Sequence, residues 1–376
     1  DSYVVPASLR EVRVTGTGAL NEGVFYDCFN LREMQLPEGL LLIGRSAFCG
    51  CSQLKSIQIP DSVLSVGEYA FANCNQLSSL GISQAVSFIG EYAFAECASL
   101  TSLTLPDSVK EVGRGALSGC SSLTSLTAPF VGHSRYEEGY LAYLFGGYGY
   151  YDSYCIPFSL SEVCLTDSSV LEEGAFYNCQ GLISVELPEK MTNIGNSAFQ
   201  SCPQLSLVTF PKGLGYIGEY AFAECISLTS LTLPNSVQQV GRGAFSGCNS
   251  LVSFTAPFVG NSRTSENYLS YLFGSYSYYD SYMVPASLGE VILTDVDRVG
   301  SSAFYGCDGL TSVSLPAGLT QIGSYAFYNC MQLTSASLPA GLSKVGNYAF
   351  GQCVSLKEVT FSEGLTEIGD HAFGNK

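Results

Sequence analysis

The chain has 376 residues, with 16 Lys+Arg against 33 Asp+Glu and a net charge of −17. That balance excludes a surface built to grip nucleic acid or an anionic membrane, and no apolar run is long enough to span a bilayer. Fifteen cysteines stand beside two histidines, and no CxxC pair has a partner pair, so neither a metal nor another cofactor is expected.

The opening residues, DSYVVPAS, lead into a first strand at Leu9, with Val12 and Val14 turned inward. From there the chain repeats. Cys28, Cys51, Cys74, Cys97 and Cys120 are each 23 residues apart, as are Cys179 to Cys248 and Cys307 to Cys353 in their runs. A fixed period of this length marks a solenoid and takes precedence over the two or three globular domains that the length alone suggests. Leucines open fifteen strands in succession, from Leu9 and Leu31 to Leu333 and Leu356.

The segment Ser99–Cys120 shows what one unit encodes. Leu100 anchors it, Leu103 and Leu105 point to one face, and Ser102 and Thr104 point to the other, which is the alternation of a strand. Pro106 stops the strand because it has no N–H for the ladder, and Asp107-Ser108 supplies turn chemistry. Val109 and Val112 lean back on the core along an extended arm. Gly113 is expected to take a positive φ at a tight bend. Ala116, Leu117 and Cys120 are spaced like one side of a helical turn. No unit buries its apolar side alone, so stacking must provide one continuous core. One cysteine per unit at one phase reads as a column of buried thiols. Bridged neighbours are the alternative, since stacked strands lie within disulfide reach. Cys49, Cys155 and Cys164 fall outside the column and are the accessible ones.

Two intervals break the rhythm. Leu123 to Leu160 and Leu251 to Leu288 span 37 residues instead of 23. The insertions, at about 129–158 and 257–286, match each other closely and are rich in tyrosine. A short amphipathic helix anchored by Leu144-Phe145 and Leu272-Phe273 is expected in each. A longer period of 128 residues relates Cys51, Cys179 and Cys307, which points to duplication of several units at once. The opening DSYVVPAS matches the tail of a third insertion, so the sequence is expected to be an excised or mature portion of a longer chain. At the other end Lys376 occupies the slot due for a cysteine, as a polar cap would.

The pattern L-x-x-[LV]-x-[LI]-P…[LVI]-x-x-[IV]-G-x-x-A-F-x-x-C is carried in one copy by Leu54, Ile57, Ile59, Pro60, Val66, Gly67, Ala70, Phe71 and Cys74. It resembles the BspA-like, or Treponema-type, leucine-rich repeat, and the likeness covers essentially the whole chain. The Pro-Phe-Val-Gly…Tyr-Leu-Phe-Gly insertion is similar to variants in exported proteins of gut-dwelling Gram-positive bacteria. The resemblance implies an α/β leucine-rich-repeat fold over residues 1–376. This is a single right-handed solenoid with a parallel β-sheet of about fifteen strands, short helical turns and mostly irregular outer arms. It also implies a secreted or cell-surface location and, for some members, adhesion to host matrix proteins or other cells.

Three places compete for function. The outward strand positions are small and polar, such as Ser56, Gln58, Ser102 and Thr104, with Glu11, Glu33, Glu162, Glu290 and Glu358 among them. Such ladders suit a solvated sheet, whereas binding hot spots usually need Tyr, Trp or Arg. The insertions offer Tyr136, Tyr140, Tyr148, Tyr150 and Tyr151 in one copy and Tyr268, Tyr276, Tyr278 and Tyr279 in the other. Tyrosine gives large contact area at low rotamer cost, and sugars stack on its ring. The same rings could equally pack the insertion onto the repeats. Catalysis finds no support, because His133 becomes Asn261 in the duplicate and neither histidine has a nucleophile motif around it. The reading is a non-enzymatic monomer that binds host or neighbouring-cell surface proteins or glycans. A passive spacer presenting another domain is the alternative.

Overall fold

The computed structural model describes residues 8–137, 139–265, 268–361 and 363–374. The expectations for the first seven residues and for Lys376 lie outside the described residues. The backbone falls into two compact units, Asp1–Pro188 and Glu189–Lys376.

All fifteen leucine-led strands form. The first unit holds eight, from Glu11–Arg13 to Ser184–Glu186, and the second seven, from Leu207–Thr209 to Glu358–Thr360. Pairing is parallel and in step with the repeat. Ser102, Leu103 and Thr104 pair with Ser125, Leu126 and Thr127, and Ser125 and Leu126 pair onward with Glu162 and Val163. The strands that flank each insertion are therefore direct neighbours, and an insertion is one coil with an enlarged outer arc. Within the unit Ser99–Cys120, Leu100, Leu103, Leu105, Val109, Val112, Ala116, Leu117 and Cys120 are all buried.

The extended arm is more regular than the sequence implied. Its valine and isoleucine positions form a second parallel ladder of two-residue strands, such as Leu42–Ile43, Ser65–Val66, Phe88–Ile89 and Glu111–Val112. Two residues are too few to show an alternation in sequence, so periodicity could not reveal this ladder.

The bend after that ladder differs from expectation. Gly113 does not have a positive φ. Its role is close approach: a Cβ there would strike the Glu91 amide of the preceding coil. The same collision recurs at Gly67, where the nearest backbone atom would be 2.7 Å away, and at Gly218, where it would be 2.5 Å. Left-handed residues come two and six positions later, as at Gly115 and Gly119 or at Tyr92 and Glu96. They make the segment a chain of i→i+3 turns in place of the expected helical turn. In one coil Ala70, Ala72 and Cys74 donate to Gly67, Tyr69 and Phe71, while Tyr69, Phe71 and Asn73 donate to Glu91, Ala93 and Ala95 of the next coil. Alternate amides thus close the turn and tie the stack, which leaves no orphan donor.

Two columns run through each core. Phe48 stacks between Phe25 and Phe71 at 5.3 and 5.0 Å, and Phe222 stacks between Phe199 and Phe245 at 5.0 and 6.0 Å. All fifteen cysteines are free thiols. Eight of those in the column, Cys51, Cys74, Cys97, Cys120, Cys225, Cys248, Cys330 and Cys353, donate to the carbonyl of the preceding coil's phenylalanine, with Cys74 Sγ 3.2 Å from Phe48 O and Cys248 Sγ 3.2 Å from Phe222 O. Burial pushes the Cys74, Cys120 and Cys248 thiols up to about 12. Cys49, Cys155 and Cys164 are only half-buried.

Candidate functional site

The insertion at 129–158 takes over the ladder duties of the arc it replaces. Val112 donates to His133 O at 2.8 Å, and Ser134 bridges Glu111 in antiparallel sense. Gly115 and Leu117 donate to Tyr143 O and Leu144 O, and Leu141 donates onward to Ala175 O. Helix α1 (Leu141–Leu144) carries this step, and its copy α2 (Leu269–Leu272) does the same in the second unit. Four residues make no stable helix on their own. Burial of Leu141, Leu144 and Phe145, and of Leu269, Leu272 and Phe273, holds them in place. The expected short helix and its Leu-Phe anchors are present, but three of its four residues are buried and the fourth, Tyr143 or Tyr271, is half-buried, so it has no exposed polar face.

An arginine bolts each insertion down. Arg135 donates to Asp107 O at 2.7 Å and Val109 O at 3.1 Å of the preceding coil, and pairs with Asp167 of the following one. Arg263 repeats this with Asn235 O and Asp295. A guanidinium suits the role because its fork satisfies two carbonyls and a carboxylate together. A second arginine carries the tyrosine loop. Arg114 donates to Gly146 O at 2.9 Å and lies 4.1 Å from the Tyr148 ring and 5.5 Å from Tyr92. Arg242 matches it with Gly274 O, Tyr276 at 4.0 Å and Tyr220 at 5.2 Å.

The nine candidate tyrosines separate into two sets. Tyr140, Tyr150, Tyr268 and Tyr278 are half-buried and pack against their own insertion or the next coil. Tyr140 meets Tyr143 edge-on at 6.2 Å, and Tyr150 meets Tyr177 at 5.5 Å. In the copy, Tyr278 meets Tyr268 at 6.3 Å and Tyr305 at 5.4 Å. The Tyr150 hydroxyl lies 2.9 Å from that of Tyr151 and 3.1 Å from Glu173 Oε1. Donation there keeps its proton bound, so it titrates above the ordinary tyrosine range.

Tyr136, Tyr148, Tyr151, Tyr276 and Tyr279 face solvent. They are joined by Tyr154 and Tyr282, which the sequence-derived candidates omit. The exposures are 80 % for Tyr148, 68 % for Tyr151 and 85 % for Tyr154, and in the copy 80 % for Tyr276, 64 % for Tyr279 and 80 % for Tyr282. Each trio has a spacing of three. Tyr151 and Tyr154 lie in the segment Tyr150–Cys155, two short 3₁₀ turns that meet at a kink at Asp152 (φ −79°, ψ 28°). Asp152 holds the start of that segment by accepting from the amides of Tyr148 at 2.8 Å and Gly149 at 3.2 Å. The signal that finds Tyr154 and Tyr282 is this i, i+3, i+6 spacing shared by the two copies.

The strand face offers less. Hydroxyls beside the strands are spent on the stack: Thr124 Oγ1 donates to Thr101 O at 2.9 Å and Thr311 Oγ1 to Gly289 O at 2.9 Å. Glu162 and Glu290 each sit between serines in register, and Ser253 donates to Glu290 at 3.0 Å. His133 Nδ1 lies 3.2 Å from both Val112 O and the Tyr143 hydroxyl, with no nucleophile beside it. Among the described residues, no group of three or more His, Cys, Asp or Glu could hold a metal ion. No helix there is long and apolar enough to cross a membrane.

Comparison with solved structures finds several similar bacterial chains. A leucine-rich repeat protein from Bacteroides ovatus is 26 % identical over 96 % of this chain and 84 % of its own, with a TM-score of 0.40. The T. pallidum leucine-rich repeat protein is 27 % identical over 57 % of this chain and 87 % of its own, with a TM-score of 0.34. A leucine-rich cell surface protein from Faecalibacterium prausnitzii is 24 % identical over 95 % of this chain and 91 % of its own, with a TM-score of 0.33. No curated protein matches the sequence. The model of the BspA-type leucine-rich repeat region matches residues 18–134, 153–272 and 273–376, in six copies. With nearly the whole repeat array inside those matches, the chain belongs to the BspA-type leucine-rich repeat family.

Proposed function

We propose that this chain is a non-enzymatic recognition module of the bacterial cell surface, which holds surface proteins or glycans of a host or a neighbouring cell. The observation that carries this reading is the pair of exposed tyrosine trios, Tyr148/Tyr151/Tyr154 and Tyr276/Tyr279/Tyr282. A ring that only packed an insertion onto its coil would be covered, as Tyr150 and Tyr278 largely are. The trios instead turn their area to solvent on a backbone fixed by Asp152, Arg114 and Arg242. Rigid amphipathic rings of this kind gain contact area at small entropic cost. Two copies on one chain raise avidity by about 10²–10⁴ when a polymer engages both. A secreted location and a monomeric state accord with this role. The competing reading is a passive spacer, favoured by the inner tyrosines, whose contacts are all internal.

The test is a screen of immobilised matrix proteins and a glycan array. It compares the wild type with variants in which one or both trios are changed to alanine and whose melting profile is retained. Loss of signal with one trio removed, and abolition with both, supports the reading. Binding that survives removal of all six rings, or no binding anywhere, leaves the spacer.

A further inference from the structure

The two insertion modules differ at several positions, and one group of differences lies where the insertion meets the next coil. In the first unit a hydrogen-bonded chain closes the groove between the 3₁₀ segment and the next coil. Asn178 Nδ2 donates to Ser153 Oγ at 2.8 Å, and Gln180 donates to Asn178 Oδ1. In the second unit the corresponding residues are Gly306, Ser281 and Asp308. Gly306 has no side chain to span the gap, and a cleft of about 410 Å³ opens there. Asn249, Ser281, Tyr282, Gly306 and Asp308 are among the residues that line it.

The lining specifies the ligand's chemistry. Asn249 and Asp308 are exposed and Ser281 is half-buried, and among the described residues their side chains make no hydrogen bond, so an amide, a hydroxyl and a carboxyl at the cleft are open to a ligand. No lysine, arginine or histidine lines it, which disfavours phosphate or another anion beside Asp308. Tyr282, 80 % exposed, stands in the wall with a free aromatic face. The volume lies within the range of small-molecule sites, roughly 300–1,000 Å³. A carboxyl and an amide accept from and donate to vicinal hydroxyls, while an aromatic face takes the C–H side of a pyranose.

We infer that the second unit carries a site for one neutral sugar unit, with Asn249, Ser281 and Asp308 holding ring hydroxyls and Tyr282 stacking on the ring. This deepens the recognition role proposed above and rests on it only for the source of the sugar, a surface glycan. In the first unit Asn178 bonds across the corresponding gap to Ser153, with Gln180 backing Asn178 from the same coil.

The test uses saturation-transfer NMR and titration calorimetry on the full chain, with the methyl glycosides of glucose, galactose, mannose and N-acetylglucosamine as probes. At least one glycoside binds the wild type at a stoichiometry of one. Gly306→Asn imports the first unit's closure. Position 306 has a φ of 64° and Asn178 a φ of 55°, so asparagine is at home in that backbone, and only the Ser281 hydroxyl, 2.5 Å from an added Cβ, must turn aside. This variant abolishes binding. Asp308→Asn weakens it roughly tenfold or more, through loss of the charged acceptor. Asn178→Gly with Gln180→Asp, Ser121→Asn and Phe158→Ala, which gives the first unit the second unit's lining at these positions, raises the stoichiometry towards two. Binding unchanged in Gly306→Asn, no transfer to any of the four glycosides, or displacement only by a cationic amine overturns the site.

The outcomes also separate this inference from the broader one. Alanine at Tyr148, Tyr151 and Tyr154 leaves glycoside binding intact. A positive array with silent glycosides ends the sugar site alone, and bound glycosides with an array indifferent to alanine at Tyr148, Tyr151, Tyr154, Tyr276 and Tyr279, with Tyr282 kept, ends the trio reading alone.

Discussion

Gly113 offers the sharpest check on how the coils are held together. Two physical reasons for a glycine there make opposite predictions for one substitution. If the backbone needed a positive φ, asparagine would serve, as it does at Asn73, Asn178 and Asn329, with φ near 60°. In the structure the reason is proximity, since a Cβ would meet the Glu91 amide more closely than the 2.7 Å gap at Gly67. Ordinary carbon contacts need about 3.5–4.0 Å. The two coils must then separate by about 1 Å at a point where backbone hydrogen bonds tie them. Such overpacking costs about 1–3 kcal/mol, and asparagine is no better than alanine. Gly119 is the control. Its φ is 72°, and an added Cβ would meet only the movable carboxyl end of Glu96. G119N should therefore stay within about 0.5 kcal/mol of wild type. Urea unfolding followed by circular dichroism gives the ranking. Hydrogen exchange at residues 88–113 locates the damage, which matters in a stack whose stability is summed over neighbours. The close-approach argument fails if G113N unfolds with the wild type while G119N does not.

Other outcomes follow from the columns. Phe222→Ala removes a ring that is stacked on two neighbours and meets Phe210 edge-on at 5.6 Å; it should cost about 3–5 kcal/mol in urea unfolding, and a loss below 1 kcal/mol would show that the column is not a packing spine. Maleimide at pH 8 should label Cys49, Cys155 and Cys164 in the native protein and all fifteen thiols after denaturation, counted by mass; early labelling of Cys74 or Cys120 contradicts the buried ladder. The same thiols set an alkaline limit. Cys74, Cys120 and Cys248 are raised to about 12 from an ordinary 9.0, so between those values the native state keeps protons that the unfolded chain has released. Their contribution is complete below about pH 9 and declines as pH rises towards 12. The urea midpoint should be flat from pH 7 to 8.5 and fall above 9, with a shallower fall in Cys120→Ala; a midpoint that rises there reverses the sign and the argument.

What the sequence made legible is what the repeat repeats. Leu100, Leu103, Leu105 and Cys120 announce their burial because the same residue types return at the same phase in unit after unit. The second ladder at Glu111–Val112 stayed hidden because two residues carry no alternation. The recurrence of glycine at Gly113 signals a backbone constraint but not its cause, since sequence gives no view of the coil next door. Arg135 could not be paired with Asp107 and Asp167 in advance, because those partners are 28 and 32 residues away through the fold. The split between Tyr148 and Tyr150 arises because Tyr148 lies in the bend before the 3₁₀ segment while Tyr150 opens it against Tyr177 of the next coil, and two residues' difference in sequence does not state that.

Constraint also explains where function is placed. Every residue of a plain coil answers to two neighbours: the glycine to a backbone, the phenylalanine to two rings, the thiol to a carbonyl. Changing any of them disturbs three coils at once. An insertion meets those demands with a few anchors, Leu141, Leu144, Phe145 and Arg135, and ties its outer arc to the stack by only a few side-chain contacts, such as Tyr150 with Tyr177 and Ser153 with Asn178. Variation there is cheap, and the two copies show it. Their anchors are the same, whereas Asn178 and Gln180 have become Gly306 and Asp308 at the groove. A duplicated module that keeps its bolts and changes its groove is diverging in what it can hold, and the exchange of an internal hydrogen-bonded chain for an open cleft is the form such divergence takes here.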